Sequence, residues 1–329
     1  MSDICLVTGA NGHLGNNLVR ALVNRGEKVR ASVRNVNYTE PFKTLDCEVV
    51  YADLLDRASL AKAMEGVDTL YQVAAAFKNW AKNPEKEIIH VNVEGTKNVL
   101  KVAAEQNVNK IVYVSSIAAL NYSSIPMDET SWNTNFLSPY RQSKTESEKA
   151  AWNLAEKLNL WLVTVLPSAI IGSNCFGHLT PTMNFLDLIL KNKVTIDVNL
   201  YFNYVDVRDV ANGMITAAEK GRRGERYILG NDYPTSTVEV IRVAQSLFPN
   251  IKTPSRASKN SLILMAFLIE LVSKITRKKP MLHLNQIKSF YGVEPRLNIS
   301  KARRELGYNP KPPEEALKEV FMYLANREE

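Results

Sequence analysis

Residues 4–15 read ICLVTGANGHLG and decide the fold. The segment opens with an apolar run that predicts a buried strand, and apolar side chains at helical spacing over 14–24 predict a helix after it. Between the two, Gly9, Gly12 and Gly15 follow a G-x-x-G-x-x-G spacing. In a strand–turn–helix context this spacing is typical of dinucleotide binding. The first glycine allows the tight turn, the second lets the backbone approach a pyrophosphate, and the third permits close packing of helix on strand.

The same turn supplies three further candidate cofactor contacts, Asn11, His13 and Leu14. The helix that begins near His13 offers free backbone N–H groups and the positive end of its dipole to phosphates. We expect His13 to pack or to cap this helix and not to act as a catalyst.

Downstream of the turn, short β-branched runs alternate with helical patterns through the first half of the chain. This alternation predicts βαβ units and therefore an α/β, doubly wound (Rossmann) parallel sheet covered on both faces. Phe202 to Val207 is predicted to be a strand that returns to this sheet. The predicted division is a dinucleotide-binding domain of residues 1–173, with 201–232 returning to it, and a smaller, mainly helical substrate lobe of 174–200 and 233–329.

The end of the second predicted strand bears on the choice of cofactor. A site for NAD has an acidic residue about 20 residues past the glycines, where it binds the ribose 2′-hydroxyl. This chain instead reads RASVRN at 30–35, with no carboxylate. The planar, always charged fork of Arg34 suits the 2′-phosphate of NADP(H), although an ordinary surface arginine is the alternative.

Two further segments carry the candidate catalytic residues. In YRQSK at 140–144, Tyr140 and Lys144 are four apart and share one face of a helix. The strand 111–116 ends in serine, and ligands of a doubly wound sheet bind at the carboxyl ends of its strands. We therefore expect Ser116 to hold a substrate carbonyl, Tyr140 to act as acid or base, and Lys144 to lower the pKa of Tyr140 and bind the nicotinamide ribose.

These motifs resemble the extended short-chain dehydrogenase/reductase family over nearly the whole chain. The resemblance implies further cofactor contacts. It places Asp53 and Leu54 at the adenine and Ala74 and Ala75 at the end of strand four. It also places Asn92 in helix four and Pro167 beside the nicotinamide.

Within that family, VRASVR at 29–34 resembles the dihydroflavonol-4-reductase group, which reduces ketones or aldehydes with NADPH. Sugar epimerases and 3β-hydroxysteroid-type dehydrogenases are equally similar in other segments. No acidic pair follows Ser116, which argues against dehydration. The leading hypothesis is an NADPH-dependent carbonyl reductase acting on a small molecule. The alternatives are a nucleotide-sugar epimerase that binds a diphosphate through Arg222, Arg223 or Arg256, a steroid- or lipid-type dehydrogenase, and a non-catalytic cofactor sensor.

Composition excludes several other classes of protein. The chain has 329 residues, 45% of them hydrophobic, a net charge of +7 and no zinc-finger spacing or basic tract with interleaved aromatic residues, so we expect no nucleic-acid partner. The histidines show no ligand-like spacing, and we expect no metal. His178 is interpreted as a loop or packing residue. The N-terminus does not resemble a signal peptide, which predicts a cytoplasmic protein.

Two sets of apolar residues could either pack inside the protein or bind a partner. The apolar stretch 261–275 precedes Arg277, Lys278 and Lys279; we expect this helix to pack against the core, with docking on anionic lipid as the alternative. A homodimer is slightly favoured through the helices that contain Asn92 and Tyr140. Its candidate face, which could equally pack against the sheet, is formed by Val93, Val99, Leu100, Val102, Ala150 and Ala151.

Overall fold

The computed structural model describes residues 4–77, 81–177, 179–276 and 284–327; His178 and the basic residues 277–279 lie outside them. In chain order its strands are β1 (Ile4–Thr8), β2 (Lys28–Val33), β3 (Glu48–Tyr51), β4 (Val67–Gln72), β5 (Lys110–Val114), β6 (Leu162–Pro167), β7 (Ala169–Ile171), β8 (Ile196–Asp197), β9 (Tyr201–Phe202), β10 (Tyr204–Asp206), β11 (Arg226–Leu229), β12 (Thr235–Ser236) and β13 (Ser255–Arg256). The α-helices are α1 (His13–Asn24), α2 (Arg57–Met64), α3 (Val91–Glu105), α4 (Pro139–Lys157), α5 (Pro181–Leu190), α6 (Val207–Lys220), α7 (Thr237–Leu247), α8 (Lys259–Thr276), α9 (Leu284–Phe290), α10 (Ser300–Leu306) and α11 (Pro313–Ala325).

The main sheet of the described chain has seven strands in the order β11-β6-β5-β4-β1-β2-β3. Each neighbouring pair is parallel. The predicted doubly wound α/β fold is therefore confirmed. The strand order reverses between β1 and β4, so a crevice opens there at the carboxyl ends of the strands, where ligands of such sheets bind.

Apolar side chains bury both faces of this sheet. One cluster includes Leu18 of α1 and Met214 of α6, and the other includes Leu100 of α3 and Ala151 of α4. Parallel strands covered on both sides need continuous apolar runs, and β6 is buried along its whole length. The helices packed on both faces thus hold the strands in place, and with them the carboxyl ends at which ligands bind.

One predicted strand pairs elsewhere. β10 is parallel to β7, and Phe202 in β9 is opposite Thr235 in β12, so the prediction that 202–207 returns to the main sheet was wrong. A strand has two edges, and those of β6 are occupied by β5 and β11. β10 therefore pairs with β7, which follows β6 in the chain. The division of the chain into a cofactor domain and a lobe stays a prediction.

Beyond the sheet, α5, α7 and α11 share a separate apolar cluster. α8 does not bury its apolar side chains as expected. Leu262 and Ala266 pack against Ile287 of α9, but the opposite side of α8 is exposed to solvent. On that side Leu264, Phe267, Leu268, Leu271, Val272 and Ile275 are between 49% and 78% exposed. None of the helices described here is long and apolar enough to cross a membrane.

The candidate dimer face is mostly internal. Val99, Leu100, Val102 and Ala151 are buried in the cluster against the sheet. The alternative that these side chains pack within the protomer is the one that the structure shows. The homodimer itself stays a prediction.

Candidate active site

A cleft of about 1420 Å³ opens at the carboxyl ends of the sheet strands, below the C-terminal helices. Its walls include the glycine turn, the ends of β2, β4, β5 and β6, the start of α4 and parts of α5 and α9. Of the residues predicted as catalytic or cofactor contacts, all line this cleft except Asn92. The sequence motifs therefore converge on one site.

The glycine turn leaves no room for a side chain at Gly9 or Gly15. Gly9 has a φ of +63°, and a Cβ on it would lie 2.9 Å from Cα of Ala74. A Cβ on Gly15 would lie 2.3 Å from the carbonyl oxygen of Gly9. The backbone of the turn is consequently bare where α1 begins, which fits a pyrophosphate at the helix N-terminus.

His13 anchors the start of α1 to the connection after β7. Its Nε2 lies 3.1 Å from the carbonyl oxygens of both Gly172 and Ser173, so we assign the ring proton to Nε2. Burial lowers the pKa of His13 to about 4, against the opposing effect of these two hydrogen bonds. The ring is neutral at physiological pH and supplies no positive charge to a phosphate.

Arg34 and Asp53, which were predicted to contact the adenosine half of a cofactor, line the cleft after β2 and β3. Arg34 is exposed at the end of β2 and forms no hydrogen bond or ion pair with any described residue. Asp53 accepts a hydrogen bond from the backbone N–H of Leu55 at 2.8 Å. A free guanidinium therefore faces the part of the cleft where the strand-two side chain of such a fold meets the ribose.

Ser116, Tyr140 and Lys144 meet at the end of β5. Ser116 follows the strand and accepts a hydrogen bond from the N–H of Ala118 at 3.1 Å, and the Tyr140 hydroxyl is hydrogen-bonded to the Ser116 side chain. Lys144, one helical turn after Tyr140, donates to the carbonyl oxygen of Val114 at 3.1 Å. A serine, a phenol and an ammonium thus line the same part of the cleft, near the end of β5, as the sequence predicts.

Burial, and not the lysine, dominates the protonation of Tyr140. Desolvation raises the pKa of Tyr140 to about 12, although its hydrogen bond with Ser116 acts in the opposite direction. Desolvation also lowers the pKa of Lys144 to about 8, against the raising effect of Glu148. The expectation that Lys144 lowers the pKa of Tyr140 is therefore not met in this structure, in which the Lys144 ammonium is hydrogen-bonded to Val114. Tyr140 is protonated at neutral pH, which is the form that donates a proton.

Comparisons with known proteins agree with this geometry. The family model described as "NAD dependent epimerase/dehydratase family" matches residues 5–230. The chain belongs to this family. Sterol demethylase protein B of Methylococcus capsulatus is 31% identical over 98% of both chains. A bifunctional dihydroflavonol 4-reductase/flavanone 4-reductase of Malus domestica is 27% identical over 78% of this chain and 79% of its own. The crystal structure of gox2253 superposes with a TM-score of 0.85 at 30% identity, covering 98% of both chains. The predicted resemblance is confirmed, and with it dependence on a nicotinamide cofactor.

In this member of the epimerase/dehydratase family, Asn92 lies behind the cleft. Its Oδ1 accepts from the N–H of Ala76 at 2.7 Å, and its Nδ2 donates to the hydroxyl of Ser143 at 3.0 Å. The Ser143 hydroxyl in turn donates to the carbonyl oxygen of Tyr140 at 2.9 Å. Asn92 thereby joins the segment after β4 to α4, the helix that carries Tyr140, without lining the cleft.

A polar network that the sequence motifs do not predict lies beneath the site. Glu148 is fully buried one turn after Lys144 and accepts hydrogen bonds from Ser115 at 2.5 Å and Thr164 at 3.0 Å. Arg226 on β11 completes it with bonds of 2.8 and 3.0 Å to the Glu148 carboxylate. The spacing of Glu148 from Lys144 hints at a shared helix face. Its partner on a distant strand gives no local signal.

The cleft also contains aromatic walls that the motifs do not reveal. The ring of Phe77 meets that of Tyr140 edge-on at 5.1 Å. Arg141 lies against the rings of Tyr122 and Phe290, which are 5.7 Å apart. The side of the cleft beside Tyr140 is therefore largely apolar and aromatic.

Proposed function

We propose that this protein is an NADPH-dependent reductase that converts a ketone or aldehyde into an alcohol. The observation that carries the proposal is the meeting of Ser116, protonated Tyr140 and Lys144 at one point of the cofactor cleft. Bound NADPH would supply a hydride to the carbonyl carbon, and the π electron pair of the C=O bond moves to the oxygen. Tyr140 donates the proton that completes the alcohol, and the Ser116 hydroxyl orients the carbonyl by a hydrogen bond.

The preference for NADPH is supported by Arg34. Removal of a charge-assisted hydrogen bond to a phosphate loses about 1.5–3 kcal/mol, or about tenfold to hundredfold in binding. We expect Arg34→Ala to raise the KM for NADPH by about that factor and to leave the KM for NADH nearly unchanged. Steady-state kinetics with both cofactors measures this difference. Arg57→Ala, a matched change at a surface arginine paired with Glu105, is the control. Equal changes for NADPH and NADH would contradict the assignment.

The walls of the cleft favour a substrate that is at least partly apolar. Phe77, Tyr122, Ile287 and Phe290 all line it near the start of α4. The name of the Methylococcus relative, Sterol demethylase protein B, is compatible with a substrate of this kind. A purified-protein assay of NADPH oxidation against aldehydes, ketones and diketones tests the proposal, with substrate-dependent oxidation as the supporting result.

The epimerase alternative is weakened by the placement of its candidate arginines. Arg222 pairs with Glu305, and Arg223 and Arg256 hydrogen-bond to asparagines elsewhere on the surface. None of the three lines the cleft. A nucleotide-sugar diphosphate therefore lacks the cations that the sequence offered for it.

A dehydrogenase of lipid-like substrates is the second candidate, favoured by the exposed apolar side of α8. An apolar helix face on a protein of net charge +7 suits an anionic lipid surface. Under this candidate function, we expect the protein to sediment with phosphatidylcholine vesicles that contain phosphatidylglycerol, in a salt-sensitive manner. The double change Leu268→Glu and Leu271→Glu is expected to abolish sedimentation, and Leu158→Glu on another surface is the control. Absence of sedimentation with the unchanged protein would end the membrane alternative.

A further inference from the structure

Two buried arginines of this chain differ in whether their guanidinium groups are paired with a carboxylate and with hydrogen-bond acceptors. Arg141 and Arg226 are each only 7% exposed, and each lies against aromatic rings. Arg226 is fully paired, because its Nε and Nη2 reach Glu148 and its Nη1 donates to the carbonyl oxygens of Glu129 and Ser131 at 2.7 and 2.9 Å. Within the described part of the chain, Arg141 has no ion pair, and its buried Nη2 has no hydrogen-bond partner.

The aromatic contacts of Arg141 do not replace a counterion. Its guanidinium carbon lies 3.8 Å from the centre of the Tyr122 ring and 4.9 Å from that of Phe290. A ring contact of this kind leaves the charge without a counterion, and it does not supply a hydrogen-bond acceptor to Nη2. A buried guanidinium donor without a partner is unfavourable unless an acceptor reaches it.

The location of Arg141 indicates where that anion comes from. Arg141 directly follows Tyr140, and both line the cleft together with Tyr122 and Phe290. Asp53 and Glu87 are the acidic residues of the described cleft lining, and neither is hydrogen-bonded or ion-paired to Arg141. The described part of the chain therefore offers Nη2 no acceptor, and a ligand in the cleft beside Tyr140 can supply one.

We propose that Arg141 is a substrate-binding residue for a carboxylate, and that the substrate of this reductase is an apolar carbonyl compound that also bears a carboxylate group. This inference rests on the proposed reductase function. A carboxylate matches the two-pronged edge of a guanidinium, and the flanking rings of Tyr122 and Phe290 fit an apolar skeleton next to it. The ring contacts hold the guanidinium in one orientation before the ligand arrives, which reduces the entropy lost on binding.

Matched acid and ester pairs test the assignment. The probes are benzoylformate, 3-benzoylpropionate and 4-acetylbenzoate, each compared with its methyl ester, so the distance between carbonyl and carboxylate varies while the rest of the molecule is kept. We expect at least one acid to exceed its ester in kcat/KM by about tenfold to hundredfold. We expect this ratio to collapse in Arg141→Met, to be intermediate in Arg141→Lys, and to be kept in Arg304→Met, which removes an equal charge from an exposed position. Calorimetric titration of the same probes into protein saturated with NADP gives the ratio without turnover.

Stability separates a ligand-binding role from a structural one. Because Arg141 has an unpaired buried charge, Arg141→Met is expected to leave the thermal midpoint unchanged or to raise it, whereas Arg226→Met lowers it. The inference is overturned if no acid is preferred over its ester, if the preference survives Arg141→Met, or if that change destabilises the fold as strongly as Arg226→Met. Esters reduced without acid preference would leave the reductase intact and refute the carboxylate site. Acids that bind through Arg141 but are never reduced would support the carboxylate site and refute the reductase function.

Discussion

Replacing Tyr140 with phenylalanine is expected to lower kcat for NADPH-dependent carbonyl reduction by about 10²- to 10⁴-fold, the usual contribution of a positioned general acid. The ring and its contact with Phe77 are kept, while the proton donor and the hydrogen bond to Ser116 are lost. Burial holds the pKa of Tyr140 near 12, so the protonated donor is present throughout the neutral range. Stopped-flow or steady-state measurement of NADPH absorbance gives the rate.

The matched control for this change is Tyr233→Phe. Tyr233 is 70% exposed and does not line the cleft, so its loss of a hydroxyl should leave the rate unchanged. NADPH binding by Tyr140→Phe, followed by fluorescence titration, should stay within a few-fold of the original. A variant that binds NADPH and still reduces the carbonyl at the original rate would show that Tyr140 is not the proton donor.

Replacing Arg226 with methionine is expected to lower the free energy of unfolding by about 3–5 kcal/mol, because the buried carboxylate of Glu148 loses its positively charged partner. Glu148 is fully buried, and Arg226 both neutralises it and bonds two backbone carbonyls at residues 129 and 131. This network joins α4, which carries the proposed catalytic residues Tyr140 and Lys144, to β6, β11 and the residue after β5. Urea denaturation followed by circular dichroism measures the change.

A double variant distinguishes the loss of charge pairing from a general packing defect. When Glu148→Leu is added to Arg226→Met, no unpaired charge remains, and we expect part of the lost stability to return. A single Arg226→Met variant that loses less than about 1 kcal/mol would show that the pair contributes little. Greater loss in the double variant than in the single would show that packing, and not charge, is what Arg226 provides.

The cofactor half of the site follows from local sequence. Gly9, Gly12 and Gly15 are close in the chain, and a side chain on Gly9 or Gly15 would collide with the same turn or with Ala74, just after β4. Tyr140 and Lys144 are one helical turn apart, so helix geometry alone places them together. The strand that precedes Ser116 ends where the carboxyl ends of the parallel strands lie together. Ligands bind there in this fold, so Ser116 is placed beside them. Short-range spacing and a parallel sheet suffice for these residues.

Tertiary structure decided the rest, because the deciding contacts join residues far apart in the chain. The guanidinium of Arg141 contacts the rings of both Tyr122 and Phe290 of α9, and no sequence periodicity predicts these contacts. The pairing of β10 with β7 depended on which strand edges remained free, and the pKa of Tyr140 depended on the desolvation of its hydroxyl in the folded protein. The sequence thus determined the fold and the glycine turn, and it singled out the residues that we propose as reacting groups. Only packing between distant segments determined their protonation and the shape and charge of the substrate side.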